Sequence, residues 1–331
     1  MAASNTQELI DAVGRFGSLR VMVLGDVMLD VYDFCSTADS KPIDSEMRGK
    51  RAYTAHESIR VLGGAGNVAA NLAALGVQTT LVGVTGDDGY HFMLQKVAED
   101  HGIDNRLLRD HGRQTTVKTR IYVDDEYLLR RDDETREKVS KELALSIQAA
   151  SLEALGNCDA VVLSDYNKGF FTDAIARSVI DACAQRSIPV VVDFKPPNAG
   201  LFRGATVIAP NEGEADTLQG GFRGAPEPAK HMQRLHELLG CTSTMVTVGG
   251  RGIYGFDSGG FFHVNGWRVK VVDAVGCGDT VRATVALGLA TGLSLRQSCV
   301  LANCAAATII QKRATATISP DEVVAFMRQS A

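Results

Sequence analysis

No stretch of this sequence approaches the ~18 consecutive apolar residues of a membrane span, so no spanning helix is expected. No Cys-x-x-Cys pair occurs, and the seven cysteines (35, 158, 183, 241, 277, 299 and 304) are scattered and odd in number. That pattern argues against a zinc site or a disulfide framework and suits free thiols in a reducing cytoplasm. Basic surplus is also missing. The net charge is −5, so neither nucleic acid nor a membrane surface is an expected partner. The N-terminus lacks the basic-then-apolar pattern of a secretory signal. There is no internal repeat and no low-complexity tract. What remains is ordinary globular material. Of 331 residues, 45% are hydrophobic and 22% charged, which is ample for one large α/β domain or two smaller ones.

Periodicity predicts alternating helices and strands. A helix is expected over 5–17, with Asn5 as cap and Glu8 three residues on. Val21-Met22-Val23-Leu24 suits a buried parallel strand, and it ends at Gly25-Asp26. Ligands of such sheets sit at the carboxyl ends of strands, which places Asp26 and then Asp30 beside one. A loop-capping role would explain Asp26 equally. Residues 31–60 are polar and break the alternation. A helix is expected from Gly63-Gly64 through Leu75, with Asn67 and Asn71 on one face, and a strand over Thr79–Val84 with a helix after it. Gly64-Ala-Gly-Asn-Val-Ala69, with Asp87 about 20 residues on, also fits a dinucleotide fingerprint, although strand-like residues precede it.

Thr115–Val123 alternates strictly, with Lys118, Arg120 and Tyr122 on one face. Asp124-Asp125 predicts a turn and Tyr127–Arg131 a returning strand. Lys118 and Arg120 suit either a ligand pocket or a solvated strand face. Helices are expected over 138–155, 172–186, 212–219 and 226–239. Strands are expected over 159–164, 188–193, 205–209, 243–248, 252–256 and 261–264. Two of these strands run into Asp165-Tyr166-Asn167-Lys168 and Asp193-Phe194-Lys195.

Near the C-terminus Val271-Val272-Asp273 predicts a strand that enters Ala274-Val275-Gly276-Cys277-Gly278-Asp279. A helix follows, with Val281, Val285 and Leu289 four apart. Unpaired N–H groups at a helix start favour an anion, and the glycines let a ligand approach. Asp279 beside them suits proton removal from a hydroxyl that attacks a phosphoryl group. As a plain helix cap it would need no such role.

Asp273-Ala-Val-Gly-Cys-Gly-Asp279-Thr resembles the C-terminal signature of the ribokinase-like (PfkB) sugar kinases. Gly63-Gly64-Ala-Gly-Asn67 is similar to that family's Gly-Gly-x-x-x-Asn segment, and Asn211-Glu-Gly-Glu214 to its Asn-x-x-Glu. Thr247-Val-Gly249-Gly-Arg-Gly252 resembles the nucleotide-side Thr-x-Gly-x-x-Gly, and Ala302–Ala307, with Asn303, the segment along the adenine. Cys277 stands where the family usually has Ala, and Val281 where Phe is frequent. The resemblance implies a three-layer α/β sandwich over 1–331, with a mostly parallel central sheet and a small β-lid from insertions at about 32–60 and 112–132.

It also implies roles. Asp279 would be the base, and the amides of Gly276, Cys277 and Gly278 an anion hole. Asp26, Asp30, Gly63, Gly64, Asn67, Lys118, Arg120, Arg130, Asp165 and Lys168 would bind the sugar. Asp193, Lys195, Asn211, Thr247, Gly249, Gly252 and Asn303 would bind ATP, and Asn211 and Glu214 would order Mg²⁺ through water. A homodimer through the lid is expected by the same resemblance.

Within the family, Gly25–Asp30, Leu128–Asp132, Leu163–Gly169 and Asp193-Phe194-Lys195 resemble the bacterial D-glycero-D-manno-heptose 7-phosphate kinases, the kinase half of bifunctional heptose enzymes. Phe194 departs from the usual Asp-Pro-Lys, and the Pro-rich lid segment is missing at 36–50. No His-x-Gly-His nucleotidyltransferase signature occurs, so a kinase alone is expected. A kinase of an unphosphorylated sugar or nucleoside, a non-catalytic binding member and a dehydrogenase are the competing readings.

Overall fold

Apolar residues in successive strands alternate between two cores, and this sets the layers. Val21 and Val23 point into one cluster, Met22 and Leu24 into the other. The computed structural model describes residues 3–312 and 316–329, with side chains from residue 6.

In chain order come α1 (Ala3–Gly14), β1 (Arg20–Gly25), β2 (Val27–Cys35), the short β3 (Lys41–Pro42) and β4 (Arg51–Ala52), β5 (Ala55–Gly64) and α2 (Ala65–Ala74). Then follow β6 (Gln78–Gly86), α3 (Gly89–Asp100), β7 (Asp104–Asp110), β8 (Val117–Val123), β9 (Glu126–Asp133), α4 (Lys141–Ala154), β10 (Ala160–Ser164), α5 (Asp173–Gln185) and β11 (Val190–Asp193). The last third holds β12 (Val207–Ile208), α6 (Glu212–Gln219), α7 (Pro228–Leu239), β13 (Ser243–Thr247), β14 (Gly252–Asp257), β15 (Gly260–Asn265), α8 (Cys277–Ala290), α9 (Leu295–Ile309) and α10 (Pro320–Gln329).

The main sheet has nine strands in the order β15-β14-β13-β12-β11-β10-β1-β6-β7. All neighbours are parallel except the β13-β14 and β14-β15 pairs. Residues of α1, α2, α8, α9 and α10 cover one face, and those of α4, α5 and α7 the other. This is a three-layer α/β sandwich. A second sheet, β5-β2-β8-β9, stands beside the carboxyl ends of the first. It takes in both ends of 32–60 and most of 112–132, while β3 and β4 pair with each other. Asp124 and Asp125, both at positive φ, form its tight β8-β9 turn.

Several expected bounds change. The first helix begins at Ala3; the side chain of Asn5, expected to cap it, lies outside the described residues. β2 and β7 were not expected. Val271-Val272 is no strand: both side chains are exposed, and Val272 N–H donates to the Ile310 carbonyl instead. Gly63 and Gly64 end β5, and Gly64 is also the N-cap that opens α2. Gly64 has φ +58°, and a Cβ there would stand 2.4 Å from the Asp26 carbonyl oxygen. The turn into α2 therefore leaves an antiparallel strand of the small sheet. The dinucleotide reading loses its context, because that fingerprint needs a parallel βαβ unit.

Candidate active site

The site forms where the carboxyl ends of β1, β10 and β11 meet the N-termini of α2 and α8. Gly276 is the N-cap of α8 in the left-handed region, φ +77°. Asp279 then falls in the first turn with 6% of its surface exposed. Both its oxygens are held. Asn67 Nδ2 donates to Oδ2 at 2.6 Å, and Tyr166 Oη donates to Oδ1 at 2.9 Å. Burial pushes its carboxyl up, against the pull of Asn67, Arg282 and Tyr166. It is therefore no simple helix cap: its side chain makes no capping hydrogen bond, and its partners come from distant elements. At the turn, Cys277 N–H reaches back to the Ala274 carbonyl at 3.3 Å, while the Gly276 and Gly278 N–H groups have no backbone partner among the described residues.

On the acceptor side, Asp26 Oδ2 accepts from the Tyr166 and Lys168 N–H groups at 2.7 and 3.1 Å. Burial first, then the neighbouring Asp165, pushes Asp26 up to about 7. Asp30 pairs with Arg120 at 3.0 Å. Gly63 is needed for closeness, because a Cβ there would stand 2.7 Å from Asp30 Oδ2. Asp165 corrects an expectation. It is buried, and its oxygens accept from Asn167 N–H, Lys195 N–H and Asn198 Nδ2. It shapes the loop and has no oxygen left facing a sugar.

The five expected cations are also sorted by the structure. Lys168 pairs with Glu134, Lys195 with Glu214 at 2.6 Å, and Arg130, which is exposed, with Asp132 at 2.8 Å. Arg120 is taken by Asp30. Lys118 alone has no ion pair among the described residues; its Nζ lies 5.7 Å from the centre of the Tyr166 ring. Burial lowers its pKa, against the pull of Asp30.

A cavity of about 760 Å³ opens on the other side of the α8 turn. Asn211, Thr247, Gly249, Gly252, Cys277, Gly278 and Asn303 line it, as expected of the nucleotide side. Trp267, Ala306, Ala307 and Ile310 add apolar wall. Asp193 and Lys195 were expected there and are not in the lining. Asp193 instead faces Arg282 at 2.9 Å, too misaligned for a hydrogen bond, and burial pushes it up to about 7. Asn211 and Glu214 form a capping box: Asn211 Oδ1 accepts Glu214 N–H and Glu214 Oε2 accepts Asn211 N–H. A smaller hollow of about 380 Å³ lies at the opposite edge of the sheet, beside Arg20, Gln78 and Asp104, away from the carboxyl ends.

Two side chains at the centre were not singled out from the sequence. Tyr166 stood inside a motif without a role. Arg282 had a visible signal: the one charge in a helix segment, Val281–Leu287, that is apolar but for Thr284.

This arrangement is a buried acid between a polar pocket under a small sheet and a large cavity by a glycine turn. The match to known proteins agrees with it. The pfkB family of carbohydrate kinases matches residues 18–322. The chain belongs to that family. More particularly, it is 36% identical over 310 residues to the D-beta-D-heptose 7-phosphate kinase of Bordetella bronchiseptica, covering 93% of this chain and 96% of that protein. It is 34% identical over 314 residues to the bifunctional protein HldE of Trichlorobacter lovleyi, covering 94% of this chain but only 63% of that protein. The chain thus spans less than two thirds of the bifunctional relative's length. Among solved structures, phosphofructokinase-2 from Escherichia coli superimposes with TM-score 0.77 at 18% identity, covering 94% of this chain and 98% of that one. The ribokinase of Arabidopsis thaliana gives TM-score 0.70 at 20% identity, covering 94% and 98%. The ribokinase-like fold follows.

Proposed function

We propose that the protein transfers the γ-phosphoryl group of ATP to D-glycero-D-manno-heptose 7-phosphate, giving the 1,7-bisphosphate. The observation that carries this is the position of Asp279, clamped by Asn67 and Tyr166 between the cavity and the pocket beneath β8. The acceptor hydroxyl gives its proton to Asp279 as its oxygen attacks. ATP lies in the cavity with its phosphates at the Gly276–Gly278 turn, and the apolar wall at Trp267, Ala306 and Ala307 takes the base.

Asn211 and Glu214 suit Mg²⁺ only through water, because their oxygens already accept hydrogen bonds within the capping box and from Lys195. That fits an ion that keeps several waters and binds substrate phosphates. When bound, it would neutralise charge on the phosphates. No cluster of three or more His, Cys, Asp or Glu side chains suited to a metal occurs among the described residues.

We place the 7-phosphate at Lys118. A half-buried cation without an ion pair among the described residues is costly unless an anion comes to it. Its alkyl chain and the Tyr166 ring form one wall, with Asp30 and Arg120 for the sugar hydroxyls. The second sheet is then a lid that excludes water. Ile59, Tyr127, Leu128 and Leu129 are exposed on it, and Tyr53 just before β5, which supports a homodimer through the lid. A cytoplasmic setting suits ATP and seven free thiols.

The test is turnover on a panel: heptose 7-phosphate, the unphosphorylated heptose, ribose, fructose and adenosine. Charge-assisted hydrogen bonds are worth about 1.5–3 kcal/mol each, so one or two at the phosphate give roughly a 10- to 10⁴-fold preference in kcat/KM for the phosphorylated heptose. Lys118→Met should lower it mainly through KM. Equal efficiency on the two heptoses would end the assignment, and a higher value on ribose, fructose or adenosine would replace it. A preference unchanged in Lys118→Met would move the phosphate to Lys168.

A further inference from the structure

We infer that Arg282 is a further catalytic residue: its guanidinium contacts the phosphoryl group as it passes from ATP to the acceptor. This rests on the reading of the site as an ATP-dependent kinase. Arg282 is only 5% exposed, in a helix segment whose neighbours Val281, Ala283, Val285 and Ala286 are all buried and apolar. Packing alone would favour another apolar side chain there, since replacing a buried ion pair by hydrophobic residues is often neutral or stabilising.

Its hydrogen-bonding capacity is only partly spent. Nη2 faces Asp193 at 2.9 Å and donates to the Ala209 carbonyl at 3.0 Å. Nε is buried with no partner, and Nη1 makes no hydrogen bond among the described residues.

The direction of the side chain gives the reason. Helical side chains lean toward the N-terminus. Arg282 therefore brings its guanidinium back under the first turn of α8. A Cβ on Gly278 would stand 2.2 Å from Nη1, so a larger residue there would push the guanidinium aside. The guanidinium and the open N–H of Gly278 thus share one wall of the nucleotide cavity. A cation at the positive end of a helix is unfavourable on its own. It becomes favourable when an anion sits between the two.

The step balances simply. The bond from the γ-phosphorus to the bridging oxygen breaks and leaves its electron pair on ADP. A bond to the acceptor oxygen forms, and the acceptor's proton goes to Asp279. Charge is spread over the three equatorial oxygens, which Arg282 and the turn amides face. Arginine also matches such oxygens better than a point-charge ammonium.

The test compares native protein with Arg282→Met and Arg282→Lys. Loss of a preorganised donor of this kind costs about 10²–10³-fold in kcat, with KM for ATP changed only a few-fold. Arg282→Lys should fall between. A second arm needs no acceptor: ADP binding with and without fluoroaluminate, a planar mimic of the phosphoryl group. Native protein should bind ADP more tightly with fluoroaluminate. Arg282→Met should lose that gain and keep its affinity for ADP alone. Melting curves identify any variant that fails to fold, and Arg282→Lys carries the comparison if Arg282→Met does.

Two results would overturn the proposal. One is the absence of a fluoroaluminate gain in native protein, or its survival in Arg282→Met. The other is recovery of turnover when Arg282→Met is combined with Asp193→Asn, which would make Arg282 a counter-ion to Asp193 and nothing more. Failure of the heptose assignment leaves the fluoroaluminate arm intact, so the two failures are distinguishable.

Discussion

Asp279 is held by two donors that leave each carboxylate oxygen a further lone pair, and that is the geometry a base needs. Asp279→Asn keeps the shape and removes the proton acceptor. General-base catalysis contributes about 10²–10⁴-fold, so kcat should fall by at least that factor with ATP affinity largely kept. Near-normal turnover would return Asp279 to a structural role. Cys277 shows how one residue can mislead. A thiol at a helix N-terminus suggests a stabilised thiolate. Burial instead pushes this one up to about 11, although Arg282 pulls it down. Cys277→Ala should retain most activity, and a thiol reagent should label native Cys277 slowly at pH 7. Rapid labelling would contradict the burial argument.

Elements were legible where one periodicity ruled. The seven parallel strands of the main sheet, less β7, stand out as short apolar runs, because both their faces are buried. β7 (Asp104–Asp110) was missed because it is an edge strand with four charged residues, half wet along its length. β2 was missed for a different reason. It carries two acids, Asp30 and Asp33, a residue type depleted in strands. The β-branched pair Val271-Val272 misled in the opposite sense, since no neighbouring strand receives it. The glycines, Asp279 and the nucleotide wall were visible as a motif. The pairing of Arg120, Lys168 and Lys195 was not, because Asp30, Glu134 and Glu214 approach them only through the fold. At the β5–α2 junction Gly64 carries a prediction. Gly64→Ala forces a left-handed conformation and a clash with the Asp26 carbonyl. A destabilisation of more than about 1 kcal/mol is expected from the conformation alone, together with a raised KM for the sugar. Unchanged unfolding in denaturant would refute it.

Across the whole molecule, buried acids at the carboxyl ends make stability depend on pH in an uncommon sense. Asp26 and Asp193 sit near 7 in the folded protein, against 3.8 for an ordinary aspartate. Between these limits the native state binds more protons than the unfolded chain, so stability falls as pH rises from about 4 to about 7. Each group contributes at most about 1.4 kcal/mol per pH unit in that window. Unfolding free energies at pH 5.5 and 8 should show native protein gaining stability at the lower pH, and Asp26→Asn gaining less. Identical gains would place the proton elsewhere.

The wall of the nucleotide cavity has one more consequence. Trp267 is the sole tryptophan in the chain, and its indole packs edge-on to Phe326 of α10 at 5.6 Å between centroids. The protein therefore carries a built-in optical reporter at the cavity proposed for ATP. Adding ADP should change the emission of that single fluorophore, whereas a sugar phosphate alone, bound beyond Asp279, should leave it nearly unaltered. One cuvette and no label would then separate occupancy of the two halves of the site.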